Sequence, residues 1–294
     1  MITPLLAIAL LAIPPIVVPV IGALAIGGLV ALLTGPVLRR LPEPAAAADP
    51  TPVGHPTPPG ATVLAGGGVP TSGPVPRTEI TEITEITEIT EITEITEITD
   101  DAPPHYPDLA TPGFALTCGG LTAAASLTAL TLAPAGWLPL WLVWSSLFAL
   151  LVAVDARTTW LPLRLTRVVW ILTAVAIAVS ALTDPGGPTE AVRSAETARV
   201  LLGALASALF YLVLWRLGHG LGFGDVRISP LIGALGASVS WTGWWVALLA
   251  GSLLGALWGI ARSLTGRRSP FPYGPWMWLG PVASVLLDAT GPLG

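Results

Sequence analysis

Residues 136–155 read GWLPLWLVWSSLFALLVAVD, nineteen uncharged and mostly apolar positions that end on Asp155. About 20 apolar residues in a helix cross the roughly 30 Å of bilayer hydrocarbon, so this stretch predicts a membrane span with an acid at its mouth. Seven more stretches of this kind lie at 4–34, 113–133, 167–182, 198–217, 228–241, 243–262 and 272–290. The chain therefore reads as an all-α polytopic membrane protein of about eight transmembrane helices. The stretch 228–241 is the weakest, being short and broken by Gly233 and Gly236, and it needs its neighbours to enter the bilayer. Composition agrees: of 294 residues, 53% are hydrophobic and 11% charged, with a mean hydropathy of +0.76, outside the range of an ordinary soluble domain. No positive charge precedes the first stretch and its apolar run is too long for a cleaved signal peptide, so it is expected to stay as a span.

The charges divide the chain into three parts. Residues 1–40 hold the first span and its basic flank, Arg39 and Arg40; residues 41–112 hold twelve acids and one arginine, a net of −11; residues 113–294 hold six acids and ten arginines, a net of +4. A membrane body with a thin basic rim gives no support for nucleic-acid binding. The acidic insert 41–112 opens rich in Pro, Ala and Gly and runs into seven Thr-Glu-Ile triplets at 78–98. Period three matches neither helix nor strand, and the tract has few residues able to build a core, so it is expected to be a disordered tether. A docking segment for a basic partner is the other reading.

Arginine-rich loops stay on the cytoplasmic side of a membrane. Arg39 and Arg40 follow the first span, which puts the N-terminus outside. Alternation through eight spans then leaves eleven of the thirteen arginines inside, with Arg193 and Arg199 as exceptions, and sets the C-terminus outside as well. The acidic insert becomes cytoplasmic. The single cysteine, Cys118, excludes an internal disulfide and a cysteine-built zinc site. His55 and His105 lack metal-ligand spacing, so no metal and no cofactor is expected. Cys118 reads as a small apolar residue, and the twelve tryptophans, Trp137, Trp141, Trp144, Trp160, Trp241, Trp244 and Trp245 among them, read mainly as interface anchors.

Chemistry must come from the few polar groups beside the spans. In the body the carboxylates are Asp155, Asp184, Glu190, Glu196, Asp225 and Asp288. Four fall in or beside the outer loop and tail, where a solvated acid needs no explanation. Asp155 closes the third span and Asp225 opens the sixth, so both lie at cytoplasmic helix ends and can share a depth. An ionised Asp costs about 2.5–3.5 kcal/mol at the centre of a span, less near the boundary, so burial by even one turn calls for a partner or a proton. Two carboxylates close together do not both ionise readily, which suits one to activate a water and the other to donate a proton. The competing reading is that each pairs with the arginine two residues on, Arg157 or Arg227. His219 could tune a carboxylate or be plain surface.

Three linked stretches carry a resemblance. Asp155 begins Asp-Ala-Arg-Thr-Thr-Trp-Leu-Pro-Leu-Arg-Leu-Thr at 155–166; Asp225 sits in Gly222-Phe223-Gly224-Asp225-Val226-Arg227; Phe271-Pro272-Tyr273-Gly274-Pro275 opens the last apolar stretch. Together they resemble the type IV prepilin peptidases, aspartic proteases of the GxGD type, over roughly residues 120–290. In that family the first Asp is followed by a Leu-Pro or Ile-Pro pair, matched by Leu161-Pro162, with Thr158 and Leu165-Thr166 also in place. The resemblance implies catalytic roles for Asp155 and Asp225, and substrate-binding or site-shaping roles for Gly222, Gly224, Thr158, Pro162, Arg227, Pro272, Gly274 and Pro275. Gly222 and Gly224 would let an extended substrate strand come close to Asp225. Three positions depart from the family pattern: Arg227 stands for Lys, Leu163 for Asn and Tyr273 for Phe.

The family's long form follows its first span with two Cys-x-x-Cys pairs that bind zinc, and the stretch Gly35-Pro36-Val37-Leu38-Arg39-Arg40-Leu41-Pro42 echoes its lead-in, but the Thr-Glu-Ile insert stands where the cysteines would be. Methyltransferase activity is therefore not expected. The resemblance implies a multi-pass protein of the bacterial inner membrane that cuts leaders from prepilin or pseudopilin substrates with its site facing the cytoplasm, while the arginine rim attracts anionic membrane lipids. Two alternatives stand beside it. A presenilin-like GxGD protease should carry Pro-Ala-Leu near its last helix, which this chain lacks; a degenerate scaffold that binds pilins would not need the carboxylates.

Overall fold

The apolar stretches fold as helices, and no strand occurs among the described residues, which in this computed structural model are 16–42, 105–183, 190–218, 221–266 and 271–291. All of them fall in one unit built from Met1–Pro42 and His105–Gly294. The Thr-Glu-Ile tract, His55, Arg77, Asp184, His219, Arg267 and Arg268 lie outside the described residues, as do the side chains of Glu190 and Arg193. The helices are α1 (Val17–Leu38), α2 (Pro112–Leu132), α3 (Leu138–Val143), which passes through a π-turn at Trp144–Phe148 into α4 (Ala149–Thr158), α5 (Leu163–Thr183), α6 (Glu190–Leu217), α7 (Phe223–Val239), α8 (Trp241–Leu264) and α9 (Gly274–Thr290).

Among the described residues six helical segments are long and apolar enough to cross a membrane: Val17–Leu38, Pro112–Leu132, Ala135–Thr158, Leu163–Thr183, Ser194–Leu217 and Trp241–Leu264. The count of about eight is not reached because α7 and α9 have only 17 residues each, about 25 Å of helix at 1.5 Å per residue.

The weakest stretch of the sequence turns out to be the central helix. Residues 225–238 of α7 are buried nearly all round, with α6, α8 and α9 packed about it. The glycines that dilute its hydropathy are the points of contact: Gly233 faces Gly203 and Ser207 of α6, and a Cβ on Gly236 would lie 2.8 Å from the Gly243 carbonyl oxygen of α8. Small residues let helix backbones approach where burial of apolar area alone gives little drive between lipid-solvated helices. The α1–α2 crossing uses the same device, since a Cβ on Gly27 would lie 2.5 Å from the Gly119 carbonyl oxygen.

Several tryptophans correct the interface reading. Trp141 and Trp144 are 0% exposed, and Trp137, Trp244 and Trp278 are also buried. Their indole N–H groups are spent inside: Trp141 donates to Ser238 Oγ at 3.0 Å, Trp144 to the Trp278 carbonyl at 3.1 Å, and Trp278 back to the Trp144 carbonyl at 3.3 Å. The Trp144 and Trp278 rings stack with centroids 5.0 Å apart, joining the π-turn to α9. A buried indole needs a partner for its one donor, and helix carbonyls freed at irregular turns supply it. Trp160, Trp241 and Trp245 are exposed, and Cys118 is buried in the core.

Arg199, one of the two arginines that disagreed with the charge rule, has a structural task. Its Nε donates to the Ala237 carbonyl at 2.7 Å and its Nη2 to the Ser238 carbonyl at 3.3 Å. A cation there satisfies the last carbonyls of α7 and complements the negative end of its dipole. The body also reaches back into the stretch grouped by charge with the insert: Tyr106, in a 3₁₀ turn at Tyr106–Leu109, is 1% exposed, and its burial pushes the phenol up to about 12.

Candidate active site

Asp155 lies one turn before the end of α4, and the end itself is made by a backbone reversal. Thr159 takes φ 57° in the left-handed region and donates its N–H to the Asp155 carbonyl at 2.8 Å. Thr158 organises this turn: its Oγ1 lies 3.0 Å from both the Val154 and Trp160 carbonyl oxygens and accepts the Trp160 N–H at 3.2 Å. Pro162 then leads into α5, its carbonyl taking the Thr166 N–H at 3.0 Å. Thr158 and Pro162 thus shape the loop that follows the acid.

Asp225 sits in the first turn of α7. Gly222 is its N-cap, with extended backbone at φ −71° and ψ 145°, and accepts the Asp225 N–H at 3.1 Å. The Gly222 N–H faces the Asp225 carboxylate, a favourable place for negative charge at a helix start. Gly224 makes a close approach of another kind. A Cβ there would lie 2.6 Å from Leu161 Cδ1, so the hydrogen of this glycine is what lets the α4–α5 turn lie against the start of α7. Neither Gly222 nor Gly224 adopts a positive φ.

Three chain segments meet at the acids. Asp155 is 5% and Asp225 7% exposed, and each carboxylate lies within the field of the other. Gly274, the first residue of α9, closes over them: its N–H faces the Asp155 carboxylate, and a Cβ on it would lie 2.6 Å from Asp155 Oδ2 and 3.4 Å from Ile228 Cδ1, one turn beyond Asp225. Pro275 occupies the first turn of α9, where a missing N–H costs nothing, and Pro272 precedes Tyr273 in the connection. Asp155 Oδ2 is buried with no hydrogen-bond partner in the protein. Among the described residues no ion pair links either acid to Arg157 or Arg227; the Arg227 guanidinium lies over the Phe223 ring, 4.8 Å from its centroid. The charge-pair reading of the two acids therefore has no geometric support. Among the described residues no group of three or more His, Cys, Asp or Glu stands close enough to hold a metal.

Tyr273, next to Gly274, and Tyr211, which sequence reasoning did not single out, are joined beside the acids. Tyr211 of α6 and Tyr273 both lie within the field of Asp225. Their hydroxyls meet at Ser252 of α8: Tyr211 Oη is 2.8 Å from Ser252 Oγ, and Tyr273 Oη donates to the Ser252 carbonyl at 3.0 Å. The Tyr273 ring lies directly on Gly255, where a Cβ would collide with it. The substitution of Tyr for Phe at 273 was the one sequence signal for this cluster.

Residues 142–260 match the type IV leader peptidase family. The chain is 36% identical over 89 residues to the prepilin leader peptidase/N-methyltransferase of Aeromonas salmonicida (strain A449), covering 26% of this chain and 28% of that protein. It is likewise 36% identical over 89 residues to the protein of the same name from Aeromonas hydrophila, covering 26% of this chain and 29% of that one. The match thus spans well under half of these curated relatives. No solved structure matches the chain. The part of the helical body that carries Asp155 and Asp225 is thus similar, over residues 142–260, to the type IV leader peptidase family.

Proposed function

We propose that the chain is a membrane aspartic endopeptidase that removes the leader from prepilin or pseudopilin proteins at the cytoplasmic face of a bacterial inner membrane. The observation that carries this reading is the meeting of two buried, unpaired acids under Gly274, with one carboxylate oxygen, Asp155 Oδ2, left without a protein partner. Two such carboxylates in mutual range do not readily share two negative charges, so one proton stays on the pair. The ionised oxygen draws a proton from the attacking water, the protonated one hydrogen-bonds the scissile carbonyl, and the proton gained then passes to the leaving amine. Either acid can hold either state, because the pair titrates as a unit.

The arginine distribution supports an orientation with Asp155 and Asp225 inside and both termini outside. In it, α7 and α9 complete eight crossings by leaning on longer neighbours, as short helices buried by protein can. The reading gives cleavage without methyl transfer, since residues 41–112 carry no cysteine to build a zinc site. Asp155→Asn and Asp225→Asn, each assayed by gel mobility of a co-expressed prepilin, should abolish leader loss while the protein still inserts, with Asp288→Asn as control. Full cleavage by either variant would remove the peptidase assignment from these residues and favour a scaffold that binds pilins.

A further inference from the structure

Two cavities adjoin each other along α5. One, of about 360 Å³, is lined by Leu163, Thr166, Arg167 and Trp170 of α5 and by Arg227 of α7. The other, of about 230 Å³, lies between Thr173, Ala174 and Ile177 of α5, Leu201 of α6 and Pro230 of α7. They share Trp170, whose indole N–H donates to the Arg227 carbonyl at 2.8 Å and so spans α5 and α7 at the junction. The α5 lining recurs every three or four residues, which is one helix face. The two cavities are therefore successive lengths of one furrow, and positions 163 to 177 cover about 21 Å at 1.5 Å per residue.

The furrow is apolar along its length and cationic at one end. Arg167 and Arg227 line that end, and no carboxylate lines either cavity. A single acyl chain reaches about 15 Å, half the hydrocarbon thickness, so a furrow of this length holds one chain and still meets the headgroup. A basic leader segment would meet like charge at the mouth.

We propose that the furrow between α5 and α7 binds one anionic phospholipid, its acyl chain along Trp170, Ala174 and Ile177 and its phosphate at Arg167 and Arg227. Basic sites between transmembrane helices on the cytoplasmic side hold anionic headgroups in this way. The bound chain would fill the gap where α5 otherwise meets α7 through few side chains. The proposal stands apart from the peptidase reading, and its test contains no cleavage step.

Purified full-length protein in detergent is titrated with phosphatidylglycerol carrying dibrominated acyl chains, and separately with the same chains on phosphatidylcholine, while tryptophan fluorescence is followed. A saturable quench by phosphatidylglycerol in excess of phosphatidylcholine is expected, and Trp170→Phe should remove that excess despite the other eleven tryptophans. Ala174→Phe fills the furrow at an exposed position and should abolish the saturable component. Arg167→Gln should weaken apparent affinity about fivefold for phosphatidylglycerol alone. Equal quenching by the two lipids, or unchanged binding by the Ala174→Phe protein, would overturn the proposal. So would capture of a co-expressed prepilin, in place of lipid, by a photoreactive Ala174→benzoylphenylalanine variant, which would assign the furrow to substrate.

Discussion

Gly274→Ala should nearly silence the proposed peptidase activity while leaving the fold almost untouched. The added Cβ would stand 2.6 Å from Asp155 Oδ2, and 3.4 Å from Ile228 Cδ1. The second distance is tolerable and the first is not, so a gap of nearly 1 Å must open between the α9 backbone and the carboxylate. The α9 start is held by Tyr273 on α8 and by the Trp144–Trp278 exchange, whereas the carboxylate is the end of a side chain that can rotate. It is therefore the carboxylate that moves, at a folding cost at or below the about 1–3 kcal/mol of ordinary overpacking. The same rotation takes the reactive oxygen out of line with its partner acid, and a misplacement of about 1 Å costs on the order of a hundredfold in rate. Cleavage of a detergent-solubilised prepilin should show kcat reduced by about that factor with KM little changed. Gly120→Ala, a site with open space around it, should behave as the parent. A Gly274→Ala protein with parental kcat would mean that Asp155 is not held where catalysis needs it, and the arrangement of the site described above would be wrong.

Gly255→Ala should lower kcat about tenfold by lifting the Tyr273 ring off α8 and with it the α9 start. Combined with Tyr273→Phe it should cost less than the product of the single effects, because both act through one contact; independent, multiplicative losses in the double-mutant cycle would refute the link. Deletion of residues 78–99 should leave leader cleavage unchanged at equal protein level, since it removes none of the described helices that carry the two acids; loss of cleavage would give the tract a docking role. Mass spectrometry of a prepilin processed by the purified protein with S-adenosylmethionine present should find an unmodified new amino terminus, and a mass gain of one methyl group would contradict it.

Much of the candidate site's geometry was legible because its turns are local in sequence. Asp155 with Thr158 and Pro162, and Gly222 to Asp225, each make their turn from neighbouring residues, so the motif carries the geometry with it. What joins the turns was not legible. That Gly224 lacks a side chain in order to receive Leu161, or that Tyr211 and Tyr273 share Ser252, depends on helices far apart in sequence. Hydropathy located each apolar stretch yet ranked 228–241 the weakest, because it rewards apolar side chains and discounts the glycines through which α7 is packed on all sides. It also placed Trp141 and Trp144 at a water boundary, since an indole carries a polar N–H whether its partner is water or a buried carbonyl.

The π-turn at Trp144–Phe148 makes the azimuth of Asp155 an adjustable quantity. It places one extra residue within a helix that otherwise advances about 100° per residue, so the segments before and after it are out of phase by that amount. Upstream, the phase is pinned by Trp141 on Ser238; within the turn, it is pinned by Trp144 on Trp278. Downstream, Asp155 lies against Gly274, on the helix face that this phase presents to α9. A one-residue deletion inside 144–148 would restore regular helix and swing the acid off its bearing with no change to any residue that touches it, which makes the length of this segment, as much as its identity, part of what the sequence encodes.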